Sequence, residues 1–173
     1  LKPLLDVRTT KIPFAGTAAD ATRLEAWCTG IPVGVSCVLG PSAAVPVATM
    51  RQSFTPDTHA YVGGRTLGDA AARLRAESLA VRAIIALARR DRVPSAGWVG
   101  VDMILGSRSD GLDDRVLEVN PRVTTSFVGL ATAASASLVR AIVDAADGRP
   151  VDRHVCPDAC GFSLSDDVPR PAS

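Results

Sequence analysis

The chain has 173 residues, of which 47% are hydrophobic and 21% charged, enough to bury a core as one domain or as a piece of a larger protein. A net charge of +1 and an aromatic content of 4% argue against a nucleic-acid or acidic-membrane surface and against the ring-stacking platforms of many RNA binders. No apolar run approaches the roughly 18 residues that span a bilayer, no signal peptide is visible, and four cysteines are too few for a disulfide scaffold, so a cytoplasmic protein without membrane or nucleic-acid partners is expected.

The chain opens at Leu1, without Met, inside what reads as a strand, and is expected to be a fragment or to lack an upstream portion. RLEAWCTGIPVGVSCVLG and AAVPVATMRQSF alternate apolar with small or polar residues, with Gly30, Pro32, Gly40 and Pro41 as punctuation, and predict antiparallel strands. AYVGGRT reads as a turn, since Gly63 and Gly64 are free to take positive φ. From about Gly68 to Arg90, Ala71, Leu74, Val81, Ile85 and Ala88 recur at helical spacing with charges between them, predicting an amphipathic helix that Pro94 ends. The arginines of this helix and its exit, Arg73, Arg75, Arg82, Arg89, Arg90 and Arg92, read as a solvated face.

GWVGVDMIL is then a strand, GSRSDGLDD a connection and RVLEVN a second strand. A helix comes next, from Thr125 to Ala146, with Phe127, Leu130, Ala134, Leu138 and Ile142 on one side, Thr124 able to cap its start, and Gly148 with Pro150 stopping it. After Val151 the chain turns polar, with room for a short strand at Gly161 to Leu164 and a loose end. His154, Cys156 and Cys160 lack a second ligand pair, so a structural zinc is not favoured.

Residues two apart on a strand share a face. Trp98, Gly100, Asp102 and Ile104 therefore lie on one side of their strand, and Val99, Val101, Met103 and Leu105 on the other, which suits a core. In RVLEVN, Val116, Glu118 and Asn120 share a face while Leu117 and Val119 point away. Burying carboxylates is costly unless a cation or hydrogen-bond donors offset it. The hairpin register decides whether these acceptors converge. A two-residue turn at Asp110-Gly111 would oppose Asp102 to Val119, whereas an odd-length connection or one bulge opposes Asp102 to Glu118 and Gly100 to Asn120. The second register gathers two carboxylates and an amide oxygen, hard ligands suited to Mg²⁺ held jointly with nucleotide phosphates. The absence of His or Cys beside them disfavours zinc.

The alternative is a solvated sheet face that happens to carry Asp and Glu. The residues after Asn120 speak against it: Pro121 fixes the chain direction, Arg122 can make a bidentate contact to phosphate or carboxylate, and Thr124, Thr125 and Ser126 bring hydroxyls and backbone N–H groups to a helix start. Thr124 alone reads as a cap.

GVDMIL followed by VLEVNPRVTTS resembles the ATP-grasp superfamily of carboxylate–amine ligases, whose C-terminal half carries a strand Asp, a hairpin and Glu-x-Asn-x-Arg. EVNPRVTTS, with YVGG and GIPVGVS upstream, is most similar to the group that includes tyramine–glutamate ligase of methanofuran synthesis. The resemblance runs from about Glu25 to Gly148. It implies an α+β fold, the C-terminal part of an ATP-grasp fold with an antiparallel sheet flanked by helices. Residues 1–150 would be an incomplete ATP-grasp domain and 151–173 a partly irregular extension.

The resemblance also implies ATP and Mg²⁺ as cofactors. Asp102 and Glu118 would bind Mg²⁺, Glu118 bridging two ions and Asn120 completing the second site. Arg122 would act catalytically, facing the transferring phosphate or the acyl substrate, with Thr125 and Ser126 at the nucleotide. Glu25 matches the residue that meets the adenine and Lys2 the lysine that touches the phosphates, while Gln52, Tyr61, Gly63 and Gly64 match positions of substrate or loop packing. The sequence departs from the family at LLDVRTTKIPFAG, which lacks the run of glycines of the phosphate-covering loop, at Pro32, where many relatives have a ribose-binding Glu, and at Gly100, where some have Arg. The implied activity is amide formation between a small carboxylate, glutamate among the candidates, and an amine through an acyl phosphate, with a homodimer left open. A non-catalytic nucleotide-binding relative or subunit is the alternative, and a purely structural interaction domain would bind no Mg-ATP.

Overall fold

Val33, Val35 and Cys37 alternate with Gly34, Ser36 and Val38 along the first strand, and both sets are largely withdrawn from solvent. A strand covered on both faces needs helices above and below the sheet, and the computed structural model, which describes residues 27–91, 96–151, 160–165 and 168–171, has them. The elements are β1 (Ile31–Leu39), β2 (Ala44–Phe54), β3 (Tyr61–Thr66), α1 (Ala70–Asp91), β4 (Gly97–Leu105), β5 (Arg115–Asn120), α2 (Thr125–Ala146), β6 (Gly161–Ser165) and β7 (Val168–Pro171). Among the described residues they form one antiparallel sheet in the order β5-β4-β1-β2-β3-β6-β7. The expected α+β architecture, an antiparallel sheet flanked by helices, is therefore present. No helix among the described residues is long and apolar enough to cross a membrane.

α1 covers one face. Ala72, Ala76, Leu79, Ala80 and Ile84 pack on Val33, Val35, Val99, Val101, Met103 and Leu105. This is not the face that the spacing of larger residues predicts: Ala71 is exposed, as are Leu74 at 61% and Ile85 at 39%. Alanines let the helix backbone approach the sheet closely, so the small residues, rather than the bulky ones, mark the buried side. Asp69, for which the sequence pattern predicts no role, caps the helix by accepting the N–H groups of Ala71 at 2.9 Å and Ala72 at 3.1 Å. Asp69→Ala is expected to cost about 1 kcal/mol, seen as a lower urea midpoint at unchanged slope. The expected terminator, Pro94, lies outside the described residues.

α2 covers the other face, as its periodicity predicts. Leu130, Leu138, Ala141 and Ala145 pack on Val38, Met50, Trp98 and Phe162, with Phe127 and Ile142 at the margin. The helix ends at Asp147, and Gly148 comes after it at φ +74. Thr124 occupies the cap position without capping: its hydroxyl accepts the Trp98 Nε1–H at 3.1 Å and shares a hydrogen bond with Ser126 Oγ at 2.8 Å.

AYVGGRT is a strand, not a turn. The reversal between β2 and β3 is made by Thr55–Ala60, where His59 has φ 52 and the Thr55 N–H donates to the Ala60 carbonyl at 2.9 Å. Gly63 does have positive φ, +137, but uses it inside β3: a Cβ there would collide with the Phe162 carbonyl oxygen, so glycine is what allows β6 to pair. Gly63→Ala is expected to lower stability by about 1–3 kcal/mol through that backbone conformation, with hydrogen exchange accelerated first in β6. Val168–Pro171, expected to be loose, extends the sheet by pairing with β6.

Candidate functional site

The hairpin adopts the register that brings the acids together. Asp102 pairs with Glu118 and Gly100 with Asn120. The register shifts between Asp102 and Met103, and Met103 pairs with Val116, so Leu117 is the extra residue of a bulge in β5. The bulge corrects one expectation. Val116 does not share the face of Glu118 and Asn120 but packs with Val119 against the core beneath α1.

The loop before β5 is seated by Asp114. Its Oδ1 accepts the Gly106 N–H at 2.9 Å, and its Oδ2 lies 2.8 Å from Arg75 Nε in an ion pair whose N–H is not aligned with the oxygen. Arg75 Nη2 donates to the Gly106 carbonyl at 3.2 Å. Arg75 is thus a tie between α1 and the hairpin rather than part of a solvated face.

Asp102 stands at the centre of the site. Gln52 Nε2 donates to its Oδ1 at 2.7 Å and Asn120 Nδ2 to its Oδ2 at 3.1 Å. Burial raises its pKa above the ordinary value of 3.8 and the charge of Glu118 adds to this, while the two amide hydrogen bonds and the charge of Arg122 oppose it. Tyr61 is pushed up to about 12, first by burial and then by the charge of Asp102, so its phenol stays protonated at neutral pH. Arg122 is exposed at the rim; its backbone N–H turns back to the Asn120 carbonyl at 2.8 Å and its Nη1 donates to the Val123 carbonyl at 3.3 Å.

These groups line one cleft of about 320 Å³ on the α2 side of the sheet. Of the residues expected in a site, it gathers Asp102, Glu118, Asn120, Arg122, Thr125 and Ser126, and Gln52 and Tyr61 with them. Lys2 and Glu25 lie outside the described residues, as do His154 and Cys156. Cys37, buried and with its thiol pushed up to about 12 by burial and then by the charge of Glu77, is an inert core residue. Gly64 stands apart, in β3 against the Arg51 carbonyl.

Sequence reasoning gave no site role to three lining residues, Gly100 among them, which stood out only as a departure from the family pattern. Ser36 bonds Ser126 Oγ at 3.1 Å and ties the start of α2 to β1. Gly34 leaves room between β2 and β4, and Gly100 leaves room for Thr124, whose Cγ2 would be 2.5 Å from a Cβ at that position. The available signal was the recurrence of small residues, Gly34, Ser36 and Gly100, at alternate positions of otherwise apolar strands.

The donor set suits a hard cation. Two carboxylates and an amide lie opposite one another across the hairpin, and all the ligands that could come from it are oxygens; among the described residues no group of three or more His, Cys, Asp or Glu is placed to hold a metal by itself, so nucleotide phosphates would have to complete the set. A cation would also compensate the burial of the Asp102 charge, which raises its pKa first, and the charge of Glu118, which adds to it. One consequence concerns stability. A carboxyl whose pKa is raised on folding binds more protons folded than unfolded, so it destabilises the fold as pH rises from about 3.8 through the folded-state value. Asp102→Asn is therefore expected to melt at the same or a higher temperature than the wild type at pH 7 without divalent ions, and to lose that advantage as pH falls below the carboxyl range.

Comparison with known proteins gives the class first. The family model for the ATP-grasp domain matches residues 13–126, and the chain belongs to that family. The sheet and helices superpose on solved structures that bear this out at the level of fold. They include N5-carboxyaminoimidazole synthase from Aspergillus clavatus in complex with ADP and 5-aminoimidazole ribonucleotide, with TM-score 0.67 at 16% identity, covering 83% of this chain and 37% of that one. N5-carboxyaminoimidazole ribonucleotide synthetase from Thermus thermophilus gives 0.61 at 16%, covering 80% and 37%. Phosphoribosylamine–glycine ligase from Thermotoga maritima gives 0.64 at 14%, covering 82% and 37%. The chain thus spans little more than a third of these structures. No curated protein sequence matches it.

Proposed function

We propose that the protein carrying this chain is an ATP-dependent carboxylate–amine ligase, nearest in its motifs to the tyramine–glutamate ligase group, with glutamate as a candidate acid. The observation that carries the reading is the bulged register that sets Asp102 opposite Glu118 and Gly100 opposite Asn120. Membership of the ATP-grasp domain family supports it, as does a fold shared with a phosphoribosylamine–glycine ligase.

In this reading Asp102, Glu118 and Asn120 would hold Mg²⁺, which when bound would neutralise phosphate charge. A substrate carboxylate oxygen attacks the γ-phosphorus of ATP, the bond from that phosphorus to the ADP oxygen breaks, and an acyl phosphate forms. The amine nitrogen then attacks the acyl carbon, phosphate leaves with the carbon–oxygen bond pair, and a proton is lost from nitrogen. The chain's part is positioning and charge. Arg122 and the N–H groups at the start of α2 face negative charge on the transferring group, the serine and threonine hydroxyls give further donors, and Tyr61 remains a neutral donor beside Asp102. Small-molecule carboxylates and amines are the partners proposed, in the cytoplasm, with a homodimer compatible.

The departure at LLDVRTTKIPFAG favours one rival, a relative that binds nucleotide without turning it over. Calorimetric titration of the intact protein with Mg-ATP, paired with ADP release over a panel of acids and amines, separates the two. Binding together with ADP release that requires both an acid and an amine is expected. Binding without release would favour the rival, and no binding would overturn both.

A further inference from the structure

Gln52 and Asp102 belong to strands that are not neighbours, since β1 runs between β2 and β4. Strands lie about 4.8 Å apart, so side chains two strands removed ordinarily meet only across the intervening one. Yet Gln52 Nε2 lies 2.7 Å from Asp102 Oδ1. The crossing passes over Gly34, which is in register with Asp102 on one side and Met50 on the other. A Cβ on Gly34 would be 3.1 Å from Gln52 Nε2, which would have to give by a few tenths of an ångström, and in ordinary contact with Asp102 Oδ1 at 3.5 Å, so a branched side chain there, reaching beyond its Cβ, would intrude on the contact.

Asn120 Nδ2 reaches the other oxygen of Asp102 at 3.1 Å. The carboxylate is thereby pinned at both ends by amides from opposite sides, and each oxygen keeps capacity for a further partner. The chemistry of the pinning group matters. A lysine or arginine at position 52 would restrain Asp102 but neutralise it and compete with a cation; an amide restrains it and leaves its charge available.

We infer that Gln52 is a positioning residue for the cation site, holding the Asp102 carboxylate in its ligating orientation through the gap at Gly34. The inference rests on the reading of Asp102 and Glu118 as Mg²⁺ ligands. Its partner in the role is Gly34, whose absent side chain keeps the passage open. Gln52 is neither a ligand nor in contact with the transferring phosphate; it acts through Asp102, as supporting hydrogen-bond partners act on ligands elsewhere.

The test uses Mn²⁺ as the probe, titrated into the intact protein with ATP present and followed by electron paramagnetic resonance. Gln52→Met, similar in length and without a donor, is expected to weaken Mn²⁺ binding about 10–100-fold and to alter the spectrum of the bound ion. Gln52→Asn, too short to reach, is expected to do the same. Gly34→Val, whose branches fill the passage, should weaken binding comparably, and the double variant should bind no worse than the weaker single, because both changes break one contact. If Gly34→Val fails to fold, the two position-52 variants carry the test by themselves. Unchanged Mn²⁺ affinity and spectrum in folded Gln52→Met, or additive losses in the double variant, would overturn the inference. Glu118→Gln separates this from the underlying reading. Where Glu118→Gln loses Mn²⁺ and Gln52→Met retains it, only the role of Gln52 falls; where Glu118→Gln binds like the wild type, the ligand assignment itself falls.

Discussion

Glu118→Gln is expected to abolish ATP turnover in the intact protein while leaving the melting temperature within about 2 °C of wild type, the size of shift that a sub-kcal/mol change produces. The substitution keeps volume and one acceptor oxygen, and the side chain is exposed, so no packing is lost. What disappears is one of only two carboxylates that face each other across the hairpin. Loss of a supporting hydrogen bond to a metal ligand costs about 10–100-fold, and loss of a charged ligand should exceed this. Removing the charge also relieves Asp102, whose pKa Glu118 helps to raise, so the fold is expected to tolerate the change well. Turnover persisting at wild-type rate, measured as ADP release with the acid and amine that support it, would falsify the proposed role.

The second large effect is expected at Asp114, far from any reacting atom. Its side chain is 3% exposed and holds both the Gly106 N–H and Arg75. Asp114→Ala would leave a guanidinium partly buried without its carboxylate and a backbone N–H without its acceptor. Removing one partner of a buried pair costs about 3–5 kcal/mol; because Arg75 retains 23% exposure, the lower end applies. For a domain of this size that is a fall in melting temperature of order 10 °C. The functional consequence should exceed the thermodynamic one. Asp114 fixes where the loop ends and therefore where β5 begins, so Asp114→Ala is expected to lose nucleotide-dependent Mn²⁺ binding at temperatures where circular dichroism still reports a folded chain. Retained binding at those temperatures would show that the register does not depend on this seat.

These two residues mark what could and could not be read from the sequence. The strands Gly97–Leu105 and Arg115–Asn120 and the helix Thr125–Ala146 were legible because apolar periodicity, glycine and proline agree there. The register that brings Asp102 opposite Glu118 was legible as one of two, the one that needs a bulge or an odd connection, but the place of the bulge at Leu117 and the seat at Asp114 were not, because neither leaves a periodic trace. The buried face of α1 was misread for a related reason: alanine carries little weight in a hydrophobic pattern but decides how near a helix can come to a sheet. Gly63 and Gly64 suggested a turn because free φ is the usual reason for paired glycines; here the glycine at 63 serves close approach of another strand. Gln52 was noticed as a motif position, yet its contact crosses a whole strand, and no pairing rule between neighbours would find it.

The irregularity at Leu117 has a further effect, on association. β5 is the last strand on its side of the described sheet. Leu117 is 54% exposed at the kink, and a kinked rim is a poor template for strand-to-strand accretion. The extra residue that sets Asp102 opposite Glu118 therefore also makes this border of the described sheet a poor partner for a second strand, and excising it is expected to yield a chain that loses nucleotide-dependent Mn²⁺ binding and aggregates more readily.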